Sequence, residues 1–174
     1  LPGYGVTTTI MGNCGFSAAP VHDDPKVRGE MVYIFSFFED IPMGPFLENV
    51  PWDWETWSEY KASLTSKVKV PANYAIFVGH IAIRIAVMGL DAWERVATPA
   101  ETARMAQLLE DALAAGALGL SDNMHDHDGD NRPIPTLVAD DAEFTALFDV
   151  LERYPAASYQ VIVDTAMRKT GPQS

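Results

Sequence analysis

Gly5-Val6-Thr7-Thr8-Thr9-Ile10-Met11-Gly12-Asn13-Cys14-Gly15 is the stretch on which the fold turns. Val6 to Met11 is rich in β-branched residues and is bounded by glycines, the signature of a buried strand. Immediately after it stands the chain's single cysteine, between Gly12 and Gly15. In parallel α/β proteins, ligands collect at the C-terminal ends of the strands, so Cys14 is expected on that edge. A Rossmann fold is the rival architecture. It would need GxGxxG and a helix here, and the sequence has Gly12-Asn13-Cys14-Gly15 instead; GxxxxGK[ST] occurs nowhere.

Working outward, three more apolar runs read as strands: Tyr74 to Val78, Ala117 to Leu120, and Tyr159 to Val163. Their starts at 74, 117 and 159 are about 43 and 42 residues apart, and each interval holds a helical pattern. Thr98-Pro99-Ala100-Glu101 is a capping box with proline at the first helical position. Met105, Leu108, Leu109, Ala112 and Leu113 follow it as one apolar face, closed by Gly116. Asp140-Asp141-Ala142-Glu143 caps a second helix, with Phe144, Leu147, Phe148 and Leu151 as its stripe. Thr56-Trp57-Ser58-Glu59 opens a shorter third helix. Strand and helix in alternation predict a parallel α/β protein. Residues 16–70 form a long insert after the first strand, rich in proline and aromatics, including Trp52, Trp54 and Trp57. Insertions at that position of a barrel cover the active face, so a lid is expected.

Composition narrows the partners. At 174 residues the chain fits one domain with a sizeable core. Twelve basic against 24 acidic residues give a net charge of −12, which argues against nucleic acid and anionic membrane surfaces. No apolar run approaches the ~20 residues of a membrane span. One cysteine excludes an internal disulfide and suits a cytoplasmic setting. The opening Leu1-Pro2-Gly3, without an initiator methionine, fits a segment of something longer.

Several residues could carry chemistry, each with a plainer reading beside it. A strand-end thiol such as Cys14 can be a small structural residue, a metal ligand or a nucleophile. His80 follows a strand and Gly79, so it is expected to face the ligand side, or else to be a satisfied buried histidine. Arg84, its neighbour in the pattern, suits a carboxylate or a structural ion pair. His125-Asp126-His127 imitates an HxH pair but falls in a loop, where a solvated or substrate-side position is the simpler reading. Asp126, Asp128 and Asp130 imitate a calcium loop. Asn131 and Leu137 stand where that loop wants Gly and Glu, so the match fails. Asp164 is a strand-end carboxylate, capping or metal-directed. Ser121 lacks a GxSxG context, and His22 has no partner signal.

The motifs together resemble one family. Residues 5–15 are similar to the GVTTxxxGNCG segment of the D-aminoacylase (N-acyl-D-amino-acid deacylase) branch of the metal-dependent amidohydrolases. Glu39-Asp40-Ile41-Pro42 with Trp52-Asp53-Trp54 resembles its EDIP…WDW stretch. Residues 78–84 with Val87-Met88-Gly89 resemble VGHxxLRxxVMG, residues 114–121 resemble AGALGFS, and residues 128–135 resemble DGDGxPVP. The matches run in the family's order over about residues 5–164.

The resemblance implies a partial (β/α)8 TIM barrel over residues 1–174, with the aromatic-rich insert inside it. It implies a zinc-dependent hydrolase acting on an N-acyl amino acid or a related amide, with Cys14 as a zinc ligand. His80, Arg84, His125 and His127 are the candidates for lining the substrate site. A zinc ion would polarise the carbonyl and lower the pKa of its water to about 7. The family's HxH motif precedes GVTT, and its later histidines and catalytic aspartate follow the last strand here. This chain therefore holds no expected general base, and alone it is expected to be inactive and to lack retained zinc. The alternative is a non-catalytic remnant of the barrel, serving as a binding or assembly module. Open strand edges would then favour self-association or pairing with the rest of the parent barrel.

Overall fold

A computed structural model describes residues 2–163. After a short 3-10 turn, β1 (Thr8–Met11) leads into three helices, α1 (Pro25–Glu39), α2 (Met43–Asn49) and α3 (Trp57–Lys67). Then come β2 (Asn73–Ile76), β3 (Val78–Gly79), α4 (His80–Met88), α5 (Pro99–Ala114), β4 (Gly119–Asn123), α6 (Asp141–Glu152) and β5 (Ser158–Ile162).

Every ladder is parallel: β1 pairs with β2, and β3 with β4, which pairs with β5. β2 and β3 are two parts of one line interrupted at Phe77. The Phe77 N–H donates to the Met11 carbonyl (3.0 Å), and the Leu118 N–H donates to that of Ile76 (2.8 Å), which joins the two ladders. The result is an arc of neighbouring parallel strands in chain order, with helices on one side. The described residues form no closed barrel. Among the described residues no helix is long and apolar enough to cross a membrane.

The core lies between the arc and the helices. Val78 and Leu120 on the strands meet Ile81, Ile85, Met105, Leu109, Leu113, Leu147 and Val150. Thr98 builds the expected capping box on α5: its hydroxyl accepts from the Glu101 N–H, and the Glu101 carboxylate accepts from the Thr98 N–H (2.7 Å). Met105, Leu109, Ala112 and Leu113 are the buried face of α5, as their spacing predicts.

β1 is not the buried strand that the sequence reading expects: none of its residues is buried, because among the described residues it is paired on its β2 side alone. Three further differences have local causes. The fourth strand is Gly119–Asn123, not Ala117–Leu120, because the Gly116 and Ala117 N–H groups fold back onto the Leu113 and Ala112 carbonyls to close α5. The insert holds three helices where the sequence reading placed one. The start of α1 was legible in Asp24-Pro25, since the Asp24 carboxylate accepts from the Lys26 N–H (2.8 Å) with proline at the first turn. The buried face of α6 is Glu143, Leu147 and Val150 rather than the aromatic stripe, and Phe148 is 39% exposed. Glu143 is drawn inward by two cations. Phe148 turns instead to an edge-on contact with Tyr159, its ring centroid 5.1 Å away.

Candidate functional site

The C-terminal ends of the strands carry two separate polar assemblies. The first is the turn after β1. Gly12, Cys14 and Gly15 all have positive φ, at 74°, 62° and 76°. Such a backbone is free for glycine and costs a side-chain-bearing residue such as Cys14 about 1 kcal/mol or more, so something must hold it. Packing and hydrogen bonds do. The turn lies against β3, where any side chain at Gly79 would strike the Gly15 carbonyl. The Gly15 N–H donates to Ser121 Oγ (3.1 Å), whose hydroxyl donates to the Gly12 carbonyl (2.5 Å). The Cys14 N–H donates to Gln160 Oε1 (2.7 Å). Cys14 itself is partly buried. Burial, then the charges of Glu39 and Asp126, push its thiol pKa up.

The second assembly lies on the helix side of the arc. His80, Arg84, Asp122 and Glu143 are each completely buried. The His80 ring contacts Asp122 Oδ2 through Nδ1 (2.9 Å) and Glu143 Oε1 through Nε2 (2.6 Å). Arg84 donates to the other Glu143 oxygen and to the Ala92 and Arg95 carbonyls (3.2 and 3.1 Å). Tyr159 donates its hydroxyl to Asp122 at 3.4 Å. Burial alone would lower the His80 pKa. The charge and hydrogen bond of Asp122, then those of Glu143, outweigh it and raise the value to about 9. Burial likewise opposes ionisation of Glu143, but its bonds to His80 and Arg84 prevail and lower its pKa. Two cations therefore face two carboxylates in a dry setting.

Between the assemblies, β4 runs into a loop organised by its last residue. Asn123 is fully buried, and its side-chain oxygen accepts from the His125 and Asp126 N–H groups (3.1 and 3.3 Å). His125 and His127 are exposed at the loop surface. The His127 ring donates to the Asp128 carbonyl (2.8 Å) and lies near Phe37. Asp128 is not a calcium ligand in waiting: its buried carboxylate accepts from the Asp130 and Arg132 N–H groups and from Arg132 Nε (3.0, 2.9 and 2.7 Å). Asp164 lies outside the described residues, as do residues 165–174.

The structure thus brings His80 and Arg84 together, away from Cys14, and leaves His125 and His127 on a separate loop. The partners missing from the sequence reading are Ser121, Asp122, Glu143 and Gln160. One signal pointed to the buried pair: His80 and Arg84 sit four apart in the run Ile81-Ala82-Ile83-Arg84-Ile85-Ala86-Val87, so both charges share a face of an apolar helix and need buried partners. A partly buried thiol at a strand end fits zinc as one soft donor. Among the described residues no three His, Cys, Asp or Glu side chains converge to complete a metal site.

No family model matches the chain. An uncharacterized protein of Mycobacterium tuberculosis is 35% identical over 161 residues, covering 85% of this chain and 25% of that protein. The D-aminoacylase of Alcaligenes xylosoxydans xylosoxydans is 35% identical over 118 residues, 67% of this chain and 21% of the relative. Among solved structures, that of a D-aminoacylase superposes with a TM-score of 0.62 at 30% identity, over 89% of this chain and 28% of the other. This chain matches part of the D-aminoacylase amidohydrolases. A second structure, the N-acyl-D-glutamate deacylase of Bordetella bronchiseptica complexed with zinc and a phosphonate inhibitor, gives a TM-score of 0.63 at 28% identity over 90% of this chain and 28% of the other. The chain spans about a quarter of the length of the relatives it matches.

Proposed function

We propose that this chain forms part of the active face of a zinc-dependent amidohydrolase that cleaves N-acyl amino acids or related amides, and that Cys14 is one of its metal ligands. The observation that carries the reading is the Cys14 turn. It is a thiol held in a left-handed backbone at the end of the first parallel strand, in a chain related to D-aminoacylases over most of its described length. The remaining ligands and the general base would come from outside residues 2–163. His125 and His127, exposed on the loop after β4, are the substrate-side candidates. His80 and Arg84 do not line the site: both are completely buried, and their bonds to Asp122 and Glu143 hold α4 and α6 to β4.

The test is hydrolysis of a panel of N-acetyl-D- and N-acetyl-L-amino acids by the complete natural protein, beside its Cys14→Ala variant. The expected result is release of acetate and free amino acid, reduced by about 100-fold or more in the variant. No turnover of any N-acyl amino acid, or turnover untouched by the substitution, would contradict the reading.

One observation favours a second reading, a binding or assembly module. β1 stands at the edge of the arc among the described residues, with Ile10 52% exposed and Val70 equally so. Such an edge invites another chain. Concentration-dependent self-association without amidase activity would select this alternative.

A further inference from the structure

The Cys14 turn is held by side chains from two other strands, and these can be assigned a role. Ser121 on β4 and Gln160 on β5 are direct register partners, so their side chains leave the same face of the arc. That face is opposite to the one used by Asp122, which bonds the helix-borne His80. Between them the two residues bond three polar atoms of the turn. Ser121 Oγ closes the turn at both ends, accepting from the Gly15 N–H and donating to the Gly12 carbonyl. Gln160 Oε1 takes the Cys14 N–H between them. Gly79, whose missing Cβ lets the Gly15 carbonyl approach, supplies the floor.

We propose that Ser121 and Gln160 are positioning residues for Cys14: they clamp the Gly12–Gly15 turn across the strand ends and so fix where the thiol stands. The inference deepens the reading of Cys14 as a ligand and gives its second tier of residues. A non-glycine residue holds positive φ only where its surroundings over-determine it. Three hydrogen bonds and one close backbone approach do so here. A ligand held by such bonds keeps its geometry before metal arrives. The hydrogen bonds from the two side chains to the turn all end on backbone atoms, so they act on the thiol through the main chain.

The experiment is alkylation of Cys14 by iodoacetamide in the metal-free complete protein, followed by mass spectrometry of the Cys14 peptide, at one fixed pH. Gln160→Ala frees the Cys14 N–H, and alkylation is expected to be about fivefold faster or more, because the turn opens locally. Gln160→Glu keeps an acceptor at the same place and, once its rate is corrected for the thiolate fraction that the added charge lowers, is expected to stay within about twofold of the parent. Equal rates in all three proteins would overturn the proposal. Ser121 is buried and Ser121→Ala could unfold the strand ends, so hydrogen exchange of the unaltered protein supplies a second measurement. The Cys14 and Gly15 amides should exchange about 100-fold more slowly than an unprotected amide of the same sequence; exchange at the unprotected rate would equally overturn the clamp. Metal content separates the two levels of the argument. If Cys14→Ala keeps its metal, the ligand reading fails while the alkylation result stands. If Cys14→Ala loses metal but Gln160→Ala alkylates normally, the clamp alone fails.

Discussion

The two faces of the strand arc are built on opposite terms. On the helix side, Asp122, His80, Glu143 and Arg84 are fully buried and bonded to one another. On the other side, Cys14 and Gln160 are partly exposed, and neutral groups hold a backbone that would not keep its shape alone. The first assembly ties α4 and α6 to β4 and is committed to the fold. The second leaves a thiol uncommitted and is available for chemistry. Damage to the first should appear as lost stability, and damage to the second as changed reactivity.

The sharpest way to break that division is Glu143→Gln. It leaves Arg84 and His80 as buried cations short of one carboxylate, and should cost about 3–5 kcal/mol in urea unfolding. A loss near that of a surface substitution would mean that the assembly is hydrated and not structural.

The pH dependence is expected to be slightly smaller. The His80 pKa is raised to about 9 in the folded protein from 6.5. Its contribution is therefore fully present below 6.5 and is lost as pH rises through 9, a change of about 3 kcal/mol. Glu143, with its pKa lowered, works in the other direction: its share is present above 4.5 and is lost as pH falls into the acid range. Unfolding followed at neutral pH and near pH 10 should show the alkaline loss, and His80→Gln should abolish it. An unchanged alkaline slope in that variant would assign the loss to another group.

Thr98→Ala removes the α5 cap on neither assembly and should cost about 1 kcal/mol, a calibration for ordinary helix stability. Cys14→Ala should be the smallest, within about 0.5 kcal/mol by the same urea titration. A large loss there would place the thiol with the structural residues and blur the contrast between the faces.

The same contrast decides what could be read in the sequence. The strands, the α5 cap and the α5 buried face follow from neighbours within a few residues, and so does the glycine-flanked Cys14. The β4 boundary was lost because the Ala117 amide belongs to the closure of α5. The partners of His80 lie 42 and 63 residues away, and Gln160 lies 146 residues from Cys14, separations over which no periodicity or capping rule acts. Glu143 was visible only as a capping-turn residue; its second duty arises when α6 packs against α4. Cys14 gained its meaning as a ligand from the family resemblance, since its position alone left three roles open.

The most direct test of the central claim is X-ray absorption at the zinc edge of the complete, zinc-loaded protein and its Cys14→Ala variant. The account predicts a sulfur scatterer at about 2.3 Å in the parent and its disappearance in the variant. Zinc surrounded only by nitrogen and oxygen in the parent, or an unchanged sulfur shell without Cys14, would contradict it.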